Sequence, residues 1–440
     1  MDHQRLLMAD FRMNTVSRVF VLAAASLVFA GAHAQTSPAP AAPEPLTDAV
    51  KNQVLERVNT IITKAAFVPG VDFSKWTSFI AENQSKIDGA KSPDEFATVI
   101  NQALAKFGAS HIVFNTPQAA NMIANRKFAG LGITPSLVKE GIQIEYVFAK
   151  SAAADAGLKV GDIIIEADGK KPTVITALRG EKGTKVKIKV KSVDGSIRTM
   201  EIERREFSTV VPESLTWVNS EVARLTIPSF MTYSQANIEA LMKDAAKAKS
   251  LIVDLRGNGG GVVFHLYHLL GYFLPNRQPA GAFINRDLVN TFVKETSGNA
   301  SDIQGIAKFA LDRNFPGSLV RGLPRTTNTP FKGQLIVLIN GGTGSASEMF
   351  AAAAKDVVKA PVIGSRSAGA VLASLMVPLP HDYMMQYPFQ DYVTVNGLRL
   401  EGNGVKPDIE AKTPTSALDK DDPGIQAALN WLKKNTVASK

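Results

Sequence analysis

Cysteine is missing from all 440 residues. Its absence excludes disulfides, thiolate nucleophiles, thiolate metal sites and a lipidated cysteine anchor. A chain this long can bury enough apolar surface to stand without cross-links, even in an oxidising compartment. Aromatic residues are sparse at 7%, and the net charge of +9 is dispersed rather than clustered. With no basic helix and no aromatic-interleaved basic patch, nucleic acid is not an expected partner. Neither a G-x-x-x-x-G-K-[ST] loop nor a G-x-G-x-x-G fingerprint occurs, so no nucleotide cofactor is indicated, nor any other. His265 and His268 stand three residues apart on a helical pattern, but no third ligand accompanies them. Packing or surface roles suit them better than metal ligation, and no metal site is expected.

No long hydrophobic run spans the chain. The apolar stretch at residues 19–30, VFVLAAASLVFA, is shorter than the ~20 residues a membrane span needs. Arg5, Arg12 and Arg18 precede it, and Ala32-His33-Ala34 follows as a cleavage site. Residues 1–34 therefore read as a secretory signal, with an N-terminal anchor as the alternative. Met13 is a second candidate start. A periplasmic or secreted mature chain without a stable membrane span is expected. Residues 35–45 form a Pro/Ala-rich extended linker.

Three patterns follow. Residues 46–124 carry apolar residues at helical spacing. Within them Ser92-Pro93-Asp94-Glu95 opens a helix that Gly108 ends. Residues 126–207 switch to short β-branched runs between glycine turns, with strict alternation over residues 186–190 and a hairpin turn at Asp194-Gly195. Residues 213–412 alternate strands with helices. Their strands LIVDL, QLIVLI and PVIG are almost wholly apolar, as in a sheet covered on both faces. Residues 285–332 resist assignment to this scheme. Residues 413–440 end in a helix with acids first and lysines last.

Two glycine-rich turns carry the chemistry. In LIVDLRGNGGG, a strand ends in Gly259, Gly260 and Gly261 before a helix, a place where backbone N–H groups can meet an oxyanion. In NGGTGSASE, Ser345 stands between a strand and a small-residue helix. Ser345-Ala346-Ser347-Glu348 is also a capping box, so cap and nucleophile are both open readings. On a regular helix Asp356 falls within about 20° of Ser345's face, three turns on.

Residues 128–135 (FAGLGITP) and 151–172 (SAAADAGLKVGDIIIEADGKKP) resemble a PDZ domain. The resemblance implies that Gly130, Leu131, Gly132 and Ile133 receive a peptide's terminal carboxylate while the next strand pairs with its main chain. A β-barrel without a ligand is the alternative. With DLRGNGGG and GSASE in this order, residues 46–434 resemble the tail-specific (carboxyl-terminal processing) serine proteases and their tricorn and interphotoreceptor retinoid-binding branch. That resemblance implies a crotonase/ClpP-like α/β core with an inserted PDZ-like β module and an N-terminal helical domain. It implies Ser345 as nucleophile, Asp356 as a site carboxylate, and an oxyanion hole from Ala346 and Gly259 or Gly260. The lysine base of the processing proteases would fall at Ala370, and a histidine expected for the tricorn branch at Thr226, so neither is present. Two further groups are implied near the site. Glu401, in EGNGVKPD, matches a glutamate of the retinoid-binding/tricorn side. His111, in FGASHIVF, resembles a D-x-H-T segment and is one candidate base; Asp356 or Glu401 could also serve if burial raises its pKa, and the base stays unassigned.

The reading is thus an exported serine endopeptidase acting on unfolded or C-terminally tagged proteins. The alternative is an inactive binder of peptides or an apolar ligand on the same scaffold. Protein or peptide partners are expected; an oligomer or adaptor stays open.

Overall fold

The computed structural model describes residues 45–125, 127–274, 278–324, 331–413 and 421–437. The signal, linker and Met13 readings lie outside these residues, as does the stretch 414–420.

Six strands form the central sheet. Their order is Ile409–Glu410, Val362–Gly364, Gln334–Ile339, Ser250–Asp254, Val222–Thr226 and Ser214–Trp217. All neighbours are parallel except the last pair. Both faces are covered, which is why the sequences read as unbroken apolar runs. Leu225, Leu251, Val253, Val337 and Ile339 face one cluster. Val222, Ile252, Ile336, Leu338 and Ile363 face another, closed by Ile425, Ala428 and Leu432 of the terminal helix Pro423–Val437. Arg256 pins that helix: its guanidinium grips Asp254 on the sheet and Asp422, which caps the helix through the Gly424 N–H.

A second sheet is built around the eleven-residue strand Met384–Thr394. Along it lie Val113–Asn115, Pro279–Ile284 and Ala373–Pro378, with Leu319–Arg321 beyond Pro279–Ile284. The troublesome segment 285–332 supplies helices Arg286–Thr296 and Ile303–Asp312, which pack on this sheet through Leu288, Phe292, Ile306 and Phe309. It is therefore part of the core.

The N-terminal helices form as their patterns dictate. Ser92 caps Pro93–Ala105 by accepting from the Glu95 N–H at 3.2 Å. Phe96, Ile100 and Leu104 of this helix share one apolar cluster with Leu372, Tyr383 and Met385 of the second sheet. The strand Val113–Asn115 then pairs antiparallel with Met384–Gln386. Through that pairing the helical region brings Ser110 within hydrogen-bond reach of Glu401.

The β module has a five-stranded sheet running Ile133–Val138, Gly141–Val147, Ile163–Ala167, Lys185–Lys191 and Ile197–Glu203, all antiparallel. Val186, Ile188 and Val190 are its buried alternate residues, as the sequence predicts. Ile133–Val138 is an edge strand.

Candidate active site

Ser345 sits where the central strand Gln334–Ile339 hands over to the helix Ala346–Ala353. Its backbone is in the left-handed half of conformational space, at φ 53° and ψ −122°. A non-glycine residue there is strained, and such strain concentrates at functional positions. The capping-box pair is in place, since the Glu348 carboxylate accepts from the Ser345 N–H at 3.1 Å. The Glu348 N–H is met by the Ser345 carbonyl at 2.9 Å. The Ser345 side chain is half-buried.

The turn at residues 257–261 is stitched to this elbow. Asn340 Oδ1 accepts from the Gly257 and Gly342 N–H groups at 2.9 and 3.0 Å. Thr343 donates to the Leu255 carbonyl, and the Gly344 N–H to that of Asn258. Gly260, at φ 98°, is so close that a Cβ would stand 2.6 Å from Ser345 Cβ and 3.0 Å from the Ala346 nitrogen. The two expected oxyanion donors are thus neighbours. Gly260's own N–H is occupied by Asn258 Oδ1 at 2.9 Å. Gly259 is exposed, and among the described residues neither its N–H nor that of Ala346 has a hydrogen-bond partner. Of the two glycines, Gly259 is the available donor.

Glu348 is a site residue that sequence reasoning saw only as half of a cap. It is fully buried and gathers four donors. These are the Ser345 N–H, the Ser367 hydroxyl at 2.6 Å, and the N–H groups of Gly369 and Ala370 at 2.8 and 3.0 Å. Burial pushes its carboxyl above the usual range while these donors pull it back. Glu348 thereby fastens the loop 367–370 against the helix that Ser345 opens. The Ala370 carbonyl completes the joint by accepting from the Ser345 N–H at 2.8 Å.

Glu401 repeats the device on the other side of the same loop. Its carboxylate accepts from the Val371 N–H at 2.9 Å, from the Ser110 N–H at 2.8 Å and from the Ser110 hydroxyl at 2.9 Å. Ser110 Oγ lies 2.7 Å from His111 Nδ1. Because the hydroxyl's single proton goes to Glu401, the oxygen must accept from His111 Nδ1–H. Nε2 then carries the lone pair, the tautomer a general base needs. His111 is strained as well, at φ 56°. Burial lowers its pKa below the ordinary 6.5, with the Glu401 charge opposing, so the ring is neutral near pH 7. Ser345 and Glu401, far apart in sequence, thus bond adjacent residues, Ala370 and Val371, and His111 joins Glu401 through Ser110. Ser110 is the member that no motif in the sequence announced.

Asp356 is not drawn into this network. The helix gives way after Ala353 to a π-type turn, Ala354–Val358, so the regular 100° step that aligned Asp356 with Ser345 does not hold. Eleven residues of helix also rise ~16 Å. The Asp356 side chain is half-buried and has no hydrogen bond among the described residues; burial raises the Tyr392 pKa, and the Asp356 charge adds a smaller push. Lys355 is held by Asp408 at 2.7 Å. His265 bonds the Phe230 carbonyl and stacks on Tyr233, and His268 meets the Tyr233 hydroxyl. His381 contacts Gln53. Thr226 ends a sheet strand. No cluster of metal-ligating side chains occurs among the described residues.

In the β module, residues 130–132 make the expected turn. A Cβ on Gly132 would stand 2.1 Å from Ser151 Cβ, at φ 80°. The Leu131 and Gly132 carbonyls are taken by the Ala153 and Phe148 N–H groups. Their own N–H groups have no partner among the described residues. A groove of about 290 Å³ opens beside them, lined by Ile133, Pro135, Phe148, Leu178, Arg179 and Phe207.

Residues 221–411 match the model of Peptidase family S41, and residues 121–191 that of the PDZ domain. A carboxy-terminal-processing protease of Bartonella bacilliformis is 26% identical over 301 residues, covering 66% of this chain and 62% of that protein. A probable CtpA-like serine protease of Staphylococcus haemolyticus is 26% identical over 65% of this chain and 53% of its own length. The chain thus spans between about half and two thirds of these relatives. Among solved structures, a putative S41 protease from Bacteroides fragilis shares the fold, with a TM-score of 0.56 at 16% identity, covering 86% of this chain and 97% of that one.

Proposed function

Because the chain belongs to peptidase family S41 and carries a PDZ domain ahead of its core, we propose that it is an exported serine endopeptidase that trims unfolded or C-terminally tagged polypeptides. Ser345 attacks the scissile carbonyl and His111 Nε2 takes its proton. Glu401, acting through Ser110, holds the imidazole and offsets the charge it gains. Gly259 and Ala346 N–H groups receive the developing oxyanion. His111 returns the proton to the leaving amine, and water repeats the cycle on the acyl-enzyme. Asp356 keeps only a distant electrostatic part. The PDZ domain presents the substrate's end through residues 130–133.

The observation that carries this reading is the continuous run from Glu401 through Ser110 to His111, anchored on the loop whose Ala370 carbonyl holds Ser345. It supplies a base where the sequence offers neither a lysine at 370 nor a histidine at 226. No helix among the described residues is long and apolar enough to cross a membrane, which suits release after signal cleavage; fractionation of the producing cell tests export.

The deciding experiment treats the chain from residue 35 with a fluorophosphonate and with unfolded casein, beside Ser345→Ala and His111→Ala. Expected are a covalent adduct mapped to Ser345 and cleavage that both variants lose. If the intact chain neither labels nor cuts, the inactive peptide-binding alternative holds instead.

A further inference from the structure

The groove of the PDZ domain departs from a full strand-addition site at one residue. Along the edge strand Ile133–Val138, alternate residues turn their backbone polar groups inward and outward. The Gly132 carbonyl is bonded inward, to the Phe148 N–H at 3.0 Å. The next residue, Ile133, therefore faces the open edge. Pro135 does too. Its register partner Ile144 spends both polar groups on the opposite side, donating to Asp162 and accepting from Gly161. A peptide added antiparallel from the turn would pair its last residue with Ile133 and the residue two positions upstream with Pro135. Proline has no N–H to give. The ladder that begins with the free amides of Leu131 and Gly132 thus loses its donor at the second rung.

The other end of the groove is built for charge. Arg179 lines it, is exposed, and has no partner among the described residues. Leu131 and Gly132, with their unpaired N–H groups, line the same groove, so it holds both a cation and backbone donors, a set complementary to a carboxylate. The apolar walls, Phe148, Leu178 and Phe207, enclose a volume at the lower limit of ligand pockets. We infer that this PDZ domain reads only the end of a polypeptide: a free terminal carboxylate held with Arg179 and one apolar terminal side chain, with little selection upstream because main-chain pairing stops at Pro135. A broad range of tails would then qualify as substrates. The inference rests on the reading of the domain as a peptide-end receptor, but not on catalysis by Ser345.

The test measures binding by fluorescence polarisation to the chain from residue 35 carrying Ser345→Ala, which cannot cut its ligand. The probes are a labelled octapeptide ending in Ala-Leu with a free carboxylate, the same peptide as its amide, and labelled Ala-Leu. The amide should bind at least about tenfold more weakly, and Arg179→Gln should weaken the acid about fivefold without moving the amide. Pro135→Ala should tighten the octapeptide about fivefold by restoring one donor, and leave the dipeptide unchanged. Equal binding of acid and amide overturns the inference. So does a Pro135→Ala gain that is the same for both lengths. Should Pro135→Ala fail to fold, alanine at each position from −2 to −5 of the octapeptide decides: changes under about twofold support it, and a loss of fivefold or more at −2 overturns it. Absence of hydrolysis by the unmodified chain would refute the endopeptidase reading and leave these binding results standing.

Discussion

Two glycine turns in this molecule present unpaired backbone N–H groups, one in the PDZ domain and one in the core, and they differ in what stands opposite. Facing residues 130–132 are an open strand edge and the cation of Arg179. Facing residues 257–261 is a strained serine whose helix begins with a free N–H. The first setting suits a charge the ligand already carries; the second suits a charge that exists only while a carbonyl is being attacked. Rigidity differs accordingly. Asn258, Asn340 and Thr343 cross-tie the core turn on several sides. Residues 131 and 132 are tied through their carbonyls alone among the described residues. Preorganisation is worth most where the charge is transient, and that is where the ties lie.

A glycine-to-alanine substitution in the core turn should break the comparison most severely. Gly260→Ala inserts a Cβ 2.6 Å from Ser345 Cβ and 2.8 Å from the Gly344 carbonyl, at φ 98°. The elbow must move, and with it both oxyanion donors. A loss of about 10²–10³ in kcat is expected, the scale seen when such a donor is removed. Steady-state kinetics on a casein-derived peptide measures it; kcat within threefold of the parent would show that the turn is not part of the reaction.

A pH profile comes next in size and isolates the base. His111 works only when neutral. Its pKa is lowered by burial below 6.5, so kcat/KM should stay level down to that pH and fall tenfold per unit below the lowered value. The sign for stability agrees. The unfolded chain takes the proton more readily, so the contribution is present above the ordinary pKa and lost as pH falls through the folded one. An acid limb above pH 6.5 would assign the base to another group. Ser110→Ala, which leaves His111 in place but cuts its path to Glu401, should lower kcat by about 10–100-fold and shift this limb.

Much of the fold was legible because burial wrote it. Strands covered on both faces are apolar throughout, and Ser92, Asp194-Gly195 and the alternating residues 186–190 carry local rules that the structure obeys. The junction of strand, glycine turn and helix at Ser345 was legible as well. The helical alignment of Asp356 with Ser345 was less legible, because a π-type turn at Ala354–Val358 interrupts the regular 3.6-residue step. The links among Ser110, His111 and Glu401 were not legible as a unit. Ser110 and Glu401 are 291 positions apart, and the pairing of Val113–Asn115 with Met384–Gln386, with the apolar cluster the two regions share, closes that gap. Residues 285–332 were obscure because their helices answer to a partner strand remote in sequence.

Glu348→Gln gives a smaller effect than the pH-linked base. Four donors converge on this buried carboxylate. An amide keeps the shape but turns one acceptor into an NH2 facing other donors, leaving buried groups unsatisfied. A stability loss of about 1–3 kcal/mol is expected, read as a lower thermal midpoint, with a kcat loss of roughly tenfold as the 367–370 loop loosens. If the carboxyl were normally protonated, as burial alone would favour, the variant would be nearly neutral at pH 7, and that result would recast Glu348 as a hydrogen-bond donor.

The mildest break belongs in the PDZ turn. In Gly132→Ala the added methyl meets Ser151 Cβ at 2.1 Å, at φ 80°, so the 130–132 amides must shift away from the groove. The strain is local, about 1–3 kcal/mol, and the joint between Ser345 and residues 367–371 is built without this turn. The loss should therefore appear as a several-fold rise in KM for polypeptides with a free C-terminal tail, because weakened capture is uniform in ground and transition states. A fall in kcat at unchanged KM would mean that the two turns are coupled. The PDZ domain would then act as a switch on the elbow, and the contrast between a turn for standing charge and a turn for transient charge would have to be replaced by one mechanism that spans both.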